Sequence, residues 1–386
     1  MIVKVGKRCV ACGACIARCP TQCLSFEMDD AGFKYPTVDK DKCINCNLCD
    51  KACPILSNKS NRNQIKKAFA VQSCDNVVLK KSSSGGAFYL LASEIVKKGG
   101  YVCGVEINND NKVRHSIVDN LKDLDKLLGS KYVQSDIGNT YLEVKKLLDN
   151  GAQVLFSGTP CQVNGLKVFL NKEYENLLTV DLICHGVPSP YVWEKYLEFQ
   201  EKKHGSEIVS VKFREKRINW INSGIELKFS NGDTYFEVMK NDAFCLQFLK
   251  NFCLRESCYA CEFKGDNRFS DITIGDFWGV DRLYPELYND KGVSLAILNT
   301  DKGVYTFENN PYLKNCLEVN LDKALKYNGA YWLPVEGFKY RNAFVKELRK
   351  KPFDKVTRKY LRKLATRQRL YSYFNKIKRI ITNKKK

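Results

Sequence analysis

Two stretches of the chain repeat one cysteine spacing: Cys9-Val-Ala-Cys12-Gly-Ala-Cys15-Ile-Ala-Arg-Cys19-Pro20 and, 34 residues on, Cys43-Ile-Asn-Cys46-Asn-Leu-Cys49-Asp-Lys-Ala-Cys53-Pro54. Both read C-x2-C-x2-C-x3-C-P. Three thiolates at this spacing wrap a turn of backbone around one [4Fe-4S] cubane, while the fourth lies too far along the chain to reach the same cluster. The copies therefore exchange their fourth ligand. Cys9, Cys12, Cys15 and Cys53 form one expected set, and Cys43, Cys46, Cys49 and Cys19 form the other. Between them Leu24-Ser-Phe-Glu-Met28 alternates in polarity and Asp29-Asp-Ala-Gly32 supplies a turn, so a short hairpin is expected. Zinc and disulfides are the alternatives, and a doubled four-cysteine motif with both prolines argues against each. Cys23 falls outside the spacing and is expected to be a small buried apolar side chain.

The first 55 or so residues thus resemble bacterial two-cluster ferredoxins. In the whole chain there are 18 cysteines but three histidines (His115, His185, His204), so its metal chemistry must rest on sulfur. At 386 residues the chain is long enough for two or three domains, and 44% hydrophobic residues exclude general disorder. Neither a long apolar run nor a signal-peptide pattern is seen, which leads us to expect a cytoplasmic protein whose thiols stay reduced. The expected divisions are a two-cluster head at 1–57, a polar linker at 58–66, a larger domain at 67–340 and a basic tail at 341–386.

From residue 67 onward, strand-like runs (Ala68 to Val71, Tyr101 to Val105, Val154 to Phe156, Leu177 to Val180) alternate with helical stretches (Ala87 to Lys98, Thr140 to Leu148), an α/β pattern. No G-x-G-x-x-G opens a βαβ unit and no G-x-x-x-x-G-K-[ST] occurs, so Rossmann and P-loop readings are disfavoured. Three small, polar turns stand out instead: Lys81-Ser-Ser-Ser-Gly-Gly-Ala-Phe88, Leu128-Gly-Ser-Lys-Tyr-Val-Gln-Ser135 and Phe156-Ser-Gly-Thr-Pro-Cys-Gln162. Each can be an ordinary helix cap, but together they suggest a pocket, with free N–H groups at a helix start suited to phosphate. A third sulfur set, Cys253-x4-Cys258-x2-Cys261, lacks a fourth member. Cys184 is the favoured partner and Cys161 the alternative, with tetrahedral zinc the competing reading of the group. Cys74, Cys103, Cys245 and Cys316 show no ligand spacing and are expected to be buried thiols.

A ferredoxin head followed by Ser-Ser-Ser-Gly-Gly-Ala-Phe, Gly-Ser-Lys-Tyr-Val-Gln-Ser, Ser-Gly-Thr-Pro-Cys-Gln, Asp-Leu-Ile-Cys-His-Gly-Val-Pro-Ser and Ser-Asp-Ile-Thr-Ile-Gly-Asp-Phe-Trp-Gly resembles the coenzyme F420 hydrogenase/dehydrogenase beta subunit family, nearly to residue 350. The resemblance implies an α+β ferredoxin-like two-cluster head, an α/β flavin-binding domain and a basic helical C-terminal tail. It also implies FAD, a third [4Fe-4S] cluster near the flavin, and hydride exchange with the deazaflavin coenzyme F420. By motif, the flavin falls at Ser82, Ser83, Ser84, Gly85 and Gly86, at Gly129, Ser130, Lys131 and Tyr132, and at Ser157, Gly158 and Thr159. A flavin trades two electrons as hydride or one at a time, whereas a cluster carries one, so the head implies a wire to a redox partner protein. No acid-base residue is obligatory for hydride transfer, and His185 is expected to support Cys184 rather than react. The Cys184 motif with its extended basic end also looks like bacterial members associated with polysaccharide biosynthesis. That likeness admits as hydride partner a nicotinamide, a flavin-linked protein or a substrate that is itself reduced.

The net charge of +20 is concentrated: residues 341–386 hold 18 Lys and Arg against two acids, a net of +16. After Pro352, apolar residues Phe353, Val356, Tyr360 and Leu364, then Leu370, Phe374, Ile377 and Ile381, recur mostly at four-residue intervals, as in an amphipathic helix pair. Packing on the body and contact with an anionic membrane surface are the two readings of that face. Nucleic acid is disfavoured, since no DNA-reading motif accompanies the charge. The functional expectation is an iron-sulfur flavoprotein oxidoreductase, with a non-catalytic electron relay or a polysaccharide accessory protein as alternatives.

Overall fold

A computed structural model describes residues 2–57, 66–266, 268–314 and 316–364. The expected linker at 58–66, save its last residue, and the tail beyond 364 lie outside the described residues.

The head is built twice from one local device. In each motif copy a left-handed residue sits between the first two cysteines (Ala11 and Asn45, φ 52° and 53°) and another follows the second (Gly13 and Asn47). These reversals curl the chain so that successive thiols face inward, and each copy then runs into a four-residue helix, Ala14–Ala17 or Leu48–Lys51. The expected hairpin joins them: β1 (Leu24–Met28) pairs antiparallel with β2 (Lys34–Val38).

The body centres on an eight-stranded sheet. Its members are β3 (Lys67–Val71), β4 (Tyr101–Ile107), β5 (Val113–Val118), β6 (Val154–Ser157) and β7 (Leu177–Leu182). A separate antiparallel sheet follows, formed by β8 (Ile208–Glu215), β9 (Gly224–Phe229) and β10 (Thr234–Val238). The chain then returns to the large sheet as β11 (Ile272–Asp276), β12 (Ser294–Leu298) and β13 (Leu317–Val319). Across the large sheet the order is β13-β3-β12-β11-β7-β6-β4-β5. Strands β4, β6, β7 and β11 are mutually parallel, and β3 shares their direction because β12 runs antiparallel to both β3 and β11. Open α/β sheets of this kind bind ligands outside the carboxyl ends of the parallel strands. The third polar turn begins at such an end, that of β6, whereas the first and second follow helices Asn76–Lys81 and Leu121–Leu127.

Helices Ala87–Lys97 and Leu121–Leu127 cover one face of the sheet, burying Leu90, Leu91, Leu124 and Leu127 against Val102, Leu155 and Val180. Helices Thr140–Asp149 and Pro160–Leu170 cover the other, and the head packs upon them in the same core as Tyr141, Phe156 and Leu166. There Gly165 is required by proximity: a Cβ on it would stand 2.7 Å from Cys12 Cβ and 2.9 Å from Cys12 Sγ.

Two features add to the sequence expectation. The small β8–β10 sheet interrupts the α/β alternation, and its inward residues Phe213, Ile225, Leu227 and Phe229 form a further core with helices Pro190–His204 and Ala243–Leu249. Into that core the chain also inserts Phe344 and Leu348 of helix Arg341–Leu348 and the buried Phe353, Val356 and Tyr360 of helical residues 353–364. The first half of the expected basic tail is therefore part of the packed body. Among the described residues no helix is long and apolar enough to cross a membrane.

Candidate functional site

The three turns meet. Ser82, Ser83, Ser84 and Gly86, then Gly129 through Tyr132, then Ser157 through Thr159 line one cleft of about 650 Å3, within the usual size range of ligand sites. The Ser130 N–H donates to Ser83 Oγ at 2.7 Å, which ties the first turn to the second. Gly85 does not line the cleft. Its N–H donates to Ser294 Oγ at 2.9 Å, and a Cβ there would lie 2.1 Å from the Val71 carbonyl oxygen, so it fastens the turn to the ends of β3 and β12. Lys131 donates from Nζ to the carbonyls of Leu128 (2.8 Å) and Lys126 (3.2 Å), closing helix Leu121–Leu127, and burial depresses its amine to about 7. Tyr132 stacks on Phe248 with ring centroids 4.7 Å apart.

Beneath the third turn lies His115, 6% exposed and stacked on Phe156. Its Nε2 is 3.2 Å from the Ser157 carbonyl and must therefore donate, which leaves Nδ1 as a buried, unpartnered acceptor. Burial holds this imidazole down at about 4, so it stays neutral.

Sequence reasoning missed a wall of the cleft. Arg214 at the end of β8, together with Asp276 and Trp278 at the end of β11, completes it. The second pair falls inside a stretch already noted for the family resemblance, but Arg214 carried no local signal, because only the fold of the small sheet brings it there.

A second cavity adjoins the cleft and is lined by four thiols, those of Cys161, Cys184, Cys258 and Cys261. Three segments deliver them. Cys161 occupies the second position of helix Pro160–Leu170, whose entry is secured by Thr159 N–H donating to Gln162 Oε1 at 3.0 Å. Cys184 follows β7, and the strand is anchored by buried Asp181, which accepts from Thr273 Oγ1 at 2.6 Å and from Arg268 Nη1 at 3.1 Å. Cys258 lies in, and Cys261 just after, the short 3-10 helix Glu256–Ala260. Burial, reinforced by the Cys261 thiol and opposed by the Val187 backbone, raises Cys258 to about 11. For Cys184, raised to about 12, burial again leads, while Lys264 pulls the other way. Ligation by thiolate at this cavity must therefore expel protons.

Both candidates for the missing ligand, Cys184 and Cys161, are present, and Cys253 is not. Cys253 is fully buried in the core with Phe244 and Phe252, because its carbonyl accepts from Ser189 N–H (2.8 Å) beside the Pro188–Leu254 bridge, on the far side of that turn from the cavity. Of the other unassigned cysteines, Cys103 and Cys245 are buried as expected, whereas Cys74 is exposed and Cys316 half-buried. Among the described residues no group of three or more His, Cys, Asp or Glu converges on a single-ion position; the thiols surround a space instead.

In the head the fourth cysteines are exchanged as the spacing requires. Cys9, Cys12, Cys15 and Cys53 line one small cavity with Val5, Val10 and Ile55. Cys19, Cys43, Cys46 and Cys49 line another, where Cys23 is buried with its Sγ 3.4 Å from Cys19 Sγ.

The first three of these four spaces follow one another through shared walls. Thr159, Gln162 and Cys184 through Val187 border both the cleft and the body's thiol cavity, and Val10 borders both that cavity and the nearer head cavity. Arg255, 1% exposed, clamps this junction. It donates from Nε to the Cys9 carbonyl (2.7 Å), from Nη2 to the Lys34 carbonyl (2.8 Å) and from Nη1 to Gln134 Oε1 (3.1 Å). Exposed pairs such as Arg8 with Glu262 add little beside it.

Comparison with known proteins locates these elements. Residues 151–319, which hold all four body thiols, match the family model for the C terminus of the coenzyme F420 hydrogenase/dehydrogenase beta subunit. Residues 8–55 match the 4Fe-4S dicluster domain. Trichloroethene reductive dehalogenase of Dehalococcoides mccartyi is 33% identical over 92 residues, 21% of this chain and 16% of that protein. Coenzyme F420-dependent sulfite reductase of Methanocaldococcus jannaschii is 24% identical over 341 residues, 82% of this chain and 48% of that protein. The chain thus spans less than half the length of these curated relatives. A chain of the F420-reducing [NiFe] hydrogenase complex from Methanosarcina barkeri superposes with a TM-score of 0.46 at 15% identity, over 78% of this chain and 94% of that one. The chain is thus similar to a 4Fe-4S dicluster domain in its head and to the C terminus of the coenzyme F420 hydrogenase/dehydrogenase beta subunit in its body.

Proposed function

We propose that the protein is an iron-sulfur flavoprotein oxidoreductase that moves electrons between a hydride carrier at the cleft and a redox partner protein at the far end of the head. The observation that carries this reading is the succession of cleft, body thiol cavity and head cavities, with wall residues shared from one to the next along the first three. Four thiols around a space suit a [4Fe-4S] cubane, and the ligand set we assign to the body site is Cys161, Cys184, Cys258 and Cys261. Lys264 and Arg268 border that site and offset the negative charge of a four-thiolate cluster. In the head, the sets are Cys9, Cys12, Cys15, Cys53 and Cys19, Cys43, Cys46, Cys49. A flavin, when bound, exchanges a hydride on one side and single electrons on the other. The cleft offers it polar turns, the Tyr132 ring and a wall that ends on Cys184. FAD is the form we assign. Coenzyme F420 and a nicotinamide are the two hydride carriers to be tried, F420 because it is named in the matched family and in the similar sulfite reductase.

The test is the composition and visible spectrum of anaerobically purified protein. The reading expects about 12 iron atoms per chain, four per cluster, with flavin bands above the cluster absorbance. Cluster absorbance without flavin would point to a non-catalytic relay, and eight iron with one zinc would replace the body cluster. Reduction tried in turn with reduced F420, NADH and NADPH then identifies the donor.

A further inference from the structure

The corner of the cleft at Arg214 is built at some cost. Arg214 takes a left-handed backbone, φ 57°, at a register shift between Phe213 and Glu215 where β8 pairs with β9. Such a conformation is uncommon for any residue but glycine, and bulges of this type re-aim a side chain. Here the bulge turns the guanidinium into the cleft, where it is 6% exposed. Asp276 Oδ1 accepts from Nη2 at 3.2 Å, the Ser83 carbonyl lies 3.4 Å from the same nitrogen, and the group rests over the Trp278 ring at 5.2 Å. Nε has no partner at all. That nitrogen is buried within the wall, so the cleft meets the guanidinium through its outer edge, a cation held at a strained position on a ligand-sized cleft.

A second feature faces the same place. Helix Ala87–Lys97 starts at Gly86 (φ 91°) with no side chain capping it, and Gly86, Ala87 and Phe88 line the cleft. Its first N–H groups form a positive helix end. With the depressed Lys131 amine turned to the Lys126 and Leu128 carbonyls, the charged side chains lining the cleft are Arg214 and Lys240 against Asp276, and Asp276 is already engaged with Arg214 and with Trp220 Nε1 (2.9 Å). The charge left over is positive. Behind the turn, Lys216 Nζ donates to the Ser84 carbonyl at 3.1 Å and holds the backbone in place.

We infer that Arg214 and the uncapped start of helix Ala87–Lys97 form a phosphate-binding corner that takes the pyrophosphate of a dinucleotide cofactor. The inference deepens the flavin reading above and rests on it. It makes Arg214 a binding residue for the phosphates rather than for the redox end of the ligand.

The test measures equilibrium binding of FAD, FMN, riboflavin and ADP by ultrafiltration to full-length, cluster-loaded protein freed of bound flavin. The variants are Arg214→Gly, which suits the left-handed backbone while removing the cation, and Arg214→Lys, which keeps the charge. Retained iron content certifies the fold of each. The expected result is a tenfold or greater loss of FAD and FMN affinity in Arg214→Gly, partial recovery in Arg214→Lys and less than a twofold change for riboflavin. Unchanged FAD affinity in Arg214→Gly, or an equal loss for riboflavin, overturns the phosphate corner and leaves the flavin reading standing. Binding of ADP that depends on Arg214, with no flavin bound by the natural chain, overturns the flavin reading and supports the corner. Failure of the natural chain to bind any of the four overturns both.

Discussion

Cys253 and Cys258 are five residues apart, and their chemistry is divided by where one turn of backbone points them. Cys258 opens into the body's thiol cavity, whereas Cys253 packs among phenylalanines. Cys253→Ala should therefore leave iron content unchanged and lower stability by about 1–2 kcal/mol for a buried small side chain, while Cys258→Ala should remove about four iron atoms per chain. Iron analysis beside a denaturant melt separates the two. Spacing could not, since C-x4-C-x2-C is compatible with either outcome and the bridge between Pro188 and Leu254 joins segments far apart in sequence. His115 makes a prediction of the opposite kind, through pH. An unfolded histidine titrates near 6.5, and the folded one is held at about 4, so between those values the unfolded chain binds the extra proton. Stability present at neutral pH is then lost as pH falls through that window, by at most roughly 3 kcal/mol from this group. His115→Gln, which keeps an N–H for the Ser157 carbonyl, should flatten the dependence, measured as urea midpoints at about pH 5 and pH 7.

At the level of elements, helix Pro160–Leu170 serves two sites at once. Its first turn carries Cys161 to the body cavity, and Gly165, one turn on, lets the head settle against it. Gly165→Ala gains helix propensity but drives a methyl group into Cys12. The expected outcome is loss of iron from the nearer head cluster with the body cluster retained, read from spectra of the reduced protein. Intact iron at both sites would show that the contact is looser than drawn. Which elements the sequence announced follows from physics. The head was legible because each motif copy encloses its cavity by local turns, at Ala11 and Gly13 and again at Asn45 and Asn47. The polar turns were legible as glycine and serine at strand or helix boundaries, although Gly85 proved to be a fastening and not part of the cleft surface. The apolar period after Pro352 foretold a helix, but a period does not say what covers it. The answer was the aromatic core around Phe244, through Phe353, Val356 and Tyr360. Arg214 and the β8–β10 sheet were not legible, since a long-range fold alone brings them to the cleft.

Across the whole molecule, function depends on order. A polar cleft, a thiol cavity and two further thiol cavities run from the carboxyl ends of the parallel strands into a head that is clamped in place by Arg255. The clamp is buried and its three acceptors come from the head and the body together, so the junction is fixed by geometry rather than by exposed ion pairs. The +16 of the last 46 residues raises a separate task to test, since eight of its 18 Lys and Arg follow residue 364 with no acid among them. If that task is contact with anionic lipid, deletion of residues 365–386 should abolish salt-sensitive binding to anionic vesicles while leaving the melting midpoint near its original value. The central claim, three clusters in one chain, is tested most directly by electron paramagnetic resonance spin quantitation of the dithionite-reduced, anaerobically prepared full-length protein. The account predicts about three spins per chain, broadened by mutual interaction, falling to about two in Cys258→Ala. Two spins in the natural chain, unchanged by that substitution, would contradict it.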